Sequence, residues 1–117
     1  MIGVALVKIP VSDVNRSVAF YEKALDLTVL FVAEEYGWAQ FEASGMGLAL
    51  YVPGKGGGER PIGGSVDFHL HHSDLDALLD GMPAEATDAG IHENADGSRS
   101  LEFSDPDANL IKIMESR

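Results

Sequence analysis

Leu6-Val7-Lys8-Ile9-Pro10-Val11-Ser12-Asp13-Val14 decides the fold, because the same device returns 61 residues later as Asp67-Phe68-His69-Leu70-His71-His72-Ser73-Asp74-Leu75. In the first copy Val7, Ile9 and Val11 share one face and Leu6, Lys8 and Pro10 the other, the period of a strand with one core face. Asp13 then offers an N-cap carboxylate, and Val14, Val18, Tyr21 and Leu25 recur at helical spacing. A duplicated strand-cap-helix unit in so short a chain implies two modules with a cleft between them.

Working outward, strand patterns cover Thr28 to Ala33, Trp38 to Ala43 and Gly47 to Val52, with turns at 34–37 and 44–47. The first module is therefore βαβββ. In the second, Asp67 to His72 alternates, and Ser73 or Asp74 caps a short helix over Leu75, Leu78 and Leu79 that Gly81-Met82-Pro83 ends. Strands near Ile91 to Asn94 and Arg99 to Ser104 lead through Asp105-Pro106-Asp107-Ala108-Asn109 to a last strand, Leu110 to Glu115. The expected fold class is α+β: two βαβββ modules, 1–53 and 64–117, forming a partly open, barrel-like mixed sheet around a cleft. Between them Pro53-Gly54-Lys55-Gly56-Gly57-Gly58-Glu59-Arg60-Pro61 reads as a linker or mobile flap over 54–63. It lacks the order of a phosphate loop.

Composition narrows the functions. The chain has 117 residues, 45% hydrophobic, enough for one compact domain. Without a long apolar run or a basic leader, a soluble, cytoplasmic protein that avoids membranes is expected. Cysteine is absent, which excludes disulfides and thiolate chemistry and leaves His, Asp and Glu as metal ligands. Nineteen acidic residues against eight basic give a net charge of -11, which repels phosphate backbones and excludes nucleic acid as a partner, while a cationic or neutral small ligand is accommodated. No serine stands in a nucleophile elbow, so hydrolase chemistry has no support.

Val11-Ser12-Asp13-Val14-Asn15-Arg16-Ser17 followed by Phe20-Tyr21, together with Asp105-Pro106-Asp107-Ala108-Asn109, resembles the vicinal oxygen chelate superfamily of glyoxalases, bleomycin resistance proteins and extradiol dioxygenases. The resemblance covers essentially the whole chain and implies a homodimer. It also implies four metal-ligand positions, which fall here on Leu6, Ala49, Asp67 and Lys112. Leu and Ala carry no donor, and Lys brings a competing positive charge. The usual metal site, and with it any cofactor, is expected to be absent, with an Asp67 to Lys112 ion pair in its place.

His69, His71 and His72 form the densest cluster of potential chemistry. Period two puts His69 and His71 on the Asp67 face, with neighbouring positions about 6.6 Å apart, and turns His72 away. The inward set expected to bind a ligand is Lys8, Tyr51, Asp67, His69, His71, Lys112 and Met114, a mixture suited to a small organic molecule with one or two polar anchors. Trp38 and Phe41 fall on opposite faces of their strand, and His92 receives no role.

Two readings survive. One is a protein of the bleomycin-resistance type, binding a small, cationic organic ligand in the inter-module cleft without metal. The other is a lyase or isomerase of the glyoxalase type, with a relocated site on Asp67, His69 and His71 and with His69 or His71 as the catalytic candidates. The ligand arithmetic favours binding, and whether the chain catalyses a reaction is left open.

Overall fold

The structure is a computed structural model that describes residues 1–116. The chain divides into two compact units, Met1–Ile62 and Gly63 onward. The first runs β1 (Leu6–Pro10), α1 (Val14–Ala24), β2 (Thr28–Ala33), a 3₁₀ turn (Glu34–Tyr36), β3 (Trp38–Ala43) and β4 (Met46–Tyr51). Its sheet has the order β1-β4-β3-β2, with β1 parallel to β4 and the other pairs antiparallel. This is the expected βαβββ plan, in which α1 opens the long crossover that a parallel pair requires.

The cap and the apolar stripe explain α1. The Asp13 carboxylate accepts the Arg16 backbone N–H at 3.0 Å, and Val14, Val18, Phe20, Tyr21 and Ala24 are buried. The helix stops where Leu25 closes onto the Tyr21 carbonyl and Asp26 enters the left-handed region at φ 52°. Ile9, Phe41, Leu48 and Leu50 form the sheet side of this core, fully buried on the face that α1 covers.

One buried group in α1 is unsatisfied, since the Ser17 hydroxyl has no hydrogen-bond partner. Ser17→Ala removes that penalty and improves helix propensity, so urea unfolding should show a gain of about 1 kcal/mol. A loss of stability in the variant would show that the hydroxyl is bonded in solution.

The second unit comprises β5 (Gly64–Ser65), β6 (Leu70–His72), α2 (Leu75–Asp80), β7 (Thr87–Glu93), β8 (Arg99–Ser104) and β9 (Asn109–Glu115). β5 and β6 both pair parallel to β9, while β8 and β7 follow antiparallel on its other side. The expected continuous strand Asp67 to His72 is thus corrected. Ser65 stands opposite Leu110 and Leu70 opposite Ile113, so four residues (66–69) span what two (111–112) span on β9. The two extra residues leave the ladder as a bend at Asp67, with Val66 turned into the core. β7 also begins four residues before the expected Ile91.

Asp74, rather than Ser73, caps α2 by accepting the Ala77 N–H at 3.0 Å. His72 Nδ1 in turn accepts the Asp74 N–H at 2.9 Å, which gives this histidine a local role facing away from the polar sheet surface. Arg99 on β8 ties α2 to β9, with 3.2 Å to Asp76 and 3.1 Å to Glu115. The hydrogen bond and then the charge of Asp76 hold the guanidinium above its ordinary pKa. Arginine is already protonated at any ordinary pH, so no pH dependence follows.

The turn before β9 is a buried polar knot. Asp105 Oδ1 accepts the backbone N–H groups of Asp107 and Asn109, and Oδ2 accepts the Asn109 side-chain amide, each at 2.9 Å. Asn109 Oδ1 then accepts the Gly63 N–H at 2.9 Å and so fixes where the unit begins.

Candidate functional site: a polar sheet face and a glycine-rich loop

Strand register sorts the second unit's side chains into two faces. Leu70, Ile113 and Leu101 form one row against α2, with Ile113 and Leu101 buried. On the opposite face His71, Met114, Ser100 and His92 form one row, and Lys112, Glu102 and Gly90 the next. Glu102 sits directly opposite Lys112, and its carboxylate lies 3.9 Å from His92 Nε2. A carboxylate, an ammonium and two imidazoles thus share one polar surface, with Met114 as its apolar element.

The expected residues fare unequally. Lys112 and Met114 are half-buried on this face, and His71 is exposed beside Met114. Asp67 and His69 lie outside any strand and are solvent-exposed, because the two extra residues before β6 carry them off the ladder. The Asp67 to Lys112 ion pair is not formed, and neither side chain has a hydrogen-bond or ion-pair partner among the described residues. The same bend removes the basis for a joint Asp67, His69 and His71 site. Among the described residues no three His, Asp or Glu side chains are grouped so that they could hold a metal ion.

Glu102 and His92 were missed by the sequence reading. The signal was present: Leu101 and Phe103 are core, so Glu102 between them had to face away. The pairing of Glu102 with Lys112 and His92 depends on register and was not legible.

In the first unit Lys8, Ala49 and Gln40 form one row of the corresponding face, and Pro10, Tyr51 and Trp38 the next. Trp38 is half-buried here and Phe41 is in the core, as their spacing predicts. The segment expected to be a linker packs onto this face. Lys8 Nζ donates to the Gly57 carbonyl at 2.6 Å and lies 5.2 Å from the centre of the Tyr51 ring. Glycine is required at the contact: an added Cβ would come within 2.8 Å of the Trp38 ring at Gly57 and 2.7 Å of the Tyr51 ring at Gly58. Two expected ligand-binding residues, Lys8 and Tyr51, are therefore engaged by the chain's own loop.

Three of the four metal-ligand positions that the resemblance implies hold Leu6, Ala49 and Lys112, a donor set that does not fit a divalent ion. Ala49 is fully buried, and Leu6 has only hydrocarbon to offer.

This architecture has a known family. The chain belongs to the Glyoxalase/Bleomycin resistance protein/Dioxygenase superfamily, whose sequence profile matches residues 3–113. A superfamily member from Sphaerobacter thermophilus is 23% identical, with 99% of this chain and 98% of that one covered at a TM-score of 0.81. A lactoylglutathione lyase from Agrobacterium tumefaciens is 18% identical, with 97% and 93% covered at 0.74. A bleomycin resistance determinant encoded on the transposon Tn5 is 20% identical, with 99% of each chain covered at 0.68. At such identities the likeness is one of fold. No protein of curated function matches the chain. Among the described residues no helix is long and apolar enough to cross a membrane.

Proposed function

We propose that this chain binds a small, cationic organic ligand on the polar face of the second unit, without the metal that many superfamily members use. The observation that carries the reading is the row of Lys112 and Glu102. A lysine occupies a position implied for a metal ligand, has no ion-pair partner of its own and stands opposite a carboxylate that His92 also approaches. Glu102 supplies the anionic anchor, while Met114 and Leu110 supply the half-buried apolar surface. His71 borders Met114 and offers a hydrogen bond to the same ligand. The net charge of -11 supports a cation further. The Tn5 relative, named for bleomycin resistance, supports drug binding as the mode. The superfamily's frequent pairing of chains supports a homodimer as the working form.

Thermal shift with bleomycin and a panel of cationic heteroaromatic compounds, combined with elemental analysis of protein purified without chelators, tests the reading. At least one compound should stabilise the wild type by about 2–3 kcal/mol at 100 times its dissociation constant. Glu102→Gln should weaken that binding roughly tenfold, and metal should be substoichiometric. Stoichiometric Ni, Zn, Mn or Fe that is lost in His71→Ala would sink the proposal, as would compounds binding Glu102→Gln unchanged.

A further inference from the structure

The first unit holds a concavity of about 430 Å³ lined by Ala33, Tyr36, Trp38, Lys55, Gly56 and Gly57. Its volume falls within the range of small-molecule sites. Two aromatic residues, Tyr36 and Trp38, contribute to this open concavity, and among the described residues they make no ring contact with each other. The indole is held at one edge, where Trp38 Nε1 donates to Gln40 Oε1 at 3.4 Å. A Cβ at Gly57 would stand 2.8 Å from its six-membered ring, so only a glycine lets the loop approach the indole this closely, and both line the concavity. Tyr36 is 63% exposed, a large ring surface left open to solvent.

Lys55 supplies the polar group. Its stem lies over Gly37, with Cδ 3.0 Å from where a Cβ would stand. In a chain with 19 acidic residues its ammonium forms no ion pair or hydrogen bond among the described residues. Glu34 and Glu35 on the neighbouring 3₁₀ turn are exposed and disfavour a free anion. A ligand must therefore bring a ring for the aromatic walls as well as a negative charge for Lys55.

We infer that this groove binds a planar aromatic acid, with the ring between Tyr36 and Trp38 and the carboxylate on the Lys55 ammonium. It is a second site, built from different residues than the face around Glu102 and Lys112. The chain has one tryptophan, so the indole N–H resonance of Trp38 reports on this groove alone.

Titration of the ¹⁵N-labelled protein with 2-naphthoate should move that resonance saturably, with a dissociation constant below about 1 mM. The neutral 2-naphthamide and the cationic 2-naphthylmethylammonium should bind about fivefold more weakly or worse, the factor expected for one contact between opposite charges in water. Lys55→Glu should abolish the saturable shift and Lys55→Arg should keep it. Glu102→Gln should leave it unchanged, which separates this site from the one proposed above. The inference is overturned if the resonance does not move saturably, if the ammonium compound binds as tightly as naphthoate, or if Lys55→Glu binds naphthoate like the wild type.

Discussion

Replacing Asp105 by Ala is expected to destabilise the second unit by about 2–4 kcal/mol, the largest effect of any polar substitution considered. The carboxylate is only 3% exposed and accepts three hydrogen bonds at 2.9 Å. Its loss leaves two backbone N–H groups and the Asn109 amide buried without these acceptors, and each unsatisfied group costs more than its hydrogen bond contributed. The turn also holds Ala108 at φ 63°, a left-handed conformation that an alanine adopts only where its surroundings impose it.

Asn109 is in turn the residue that holds the Gly63 N–H, so the disturbance reaches the start of β5. Asp105→Asn keeps the shape and one acceptor but sets an amide nitrogen against the Asn109 amide, and it should cost roughly half as much. Chemical denaturation of both variants checks the ordering. Asp105→Ala unfolding within about 0.5 kcal/mol of the wild type would refute this account of the turn.

The second large effect concerns the glycine-rich loop. Gly57→Ala places a methyl group 2.8 Å from Trp38 Cε3 and 3.1 Å from Tyr51 Cβ, distances at which either the loop or the indole must move. The indole is held by Gln40 and the strand beneath it, so the loop should lift. A cost of about 1–2 kcal/mol for the closed form raises the open population roughly five- to thirty-fold. Trypsin reads this directly, because Lys55 lies in the loop. Cleavage after Lys55 should accelerate by at least about fivefold, while the stability of the unit as a whole falls by no more than the same ~1–2 kcal/mol.

Lys8→Met, which removes the 2.6 Å bond to the Gly57 carbonyl, should accelerate the same cut. Equal cleavage rates in wild type, Gly57→Ala and Lys8→Met would show that neither contact holds the loop down. The loop packs on the buried Tyr51 ring and is bonded by the exposed Lys8, so its release is also what would expose Tyr51 to a ligand.

The elements that could be read without coordinates share a property. Asp13 caps its helix because a carboxylate accepts the free N–H groups of a first turn, a contact that spans three residues, and the same rule placed the second cap at Ser73 or Asp74, of which the structure uses Asp74. Ile9, Val11, Ile111 and Ile113 are buried because alternate residues of a strand share a face, again a local rule. Duplication multiplied those local signals, so two βαβββ units followed from nine-residue stretches. Asp67 shows where such rules stop. Its alternation with His69 and His71 is genuine in the chain, but alternation assigns a face only while the strand stays paired.

Fold class, module plan, helix caps and core faces were thus written in the order of residues, since each arises from neighbours within a turn or two. Three matters were settled only in three dimensions. Two extra residues between β5 and β6 took Asp67 and His69 out of the candidate site; Glu102 met Lys112 and His92 across β8; and the glycine loop closed on Lys8, Tyr51 and Trp38. All three depend on register or contact between segments distant in sequence. That information belongs to the packing energy of the whole unit and is carried by no single stretch of it.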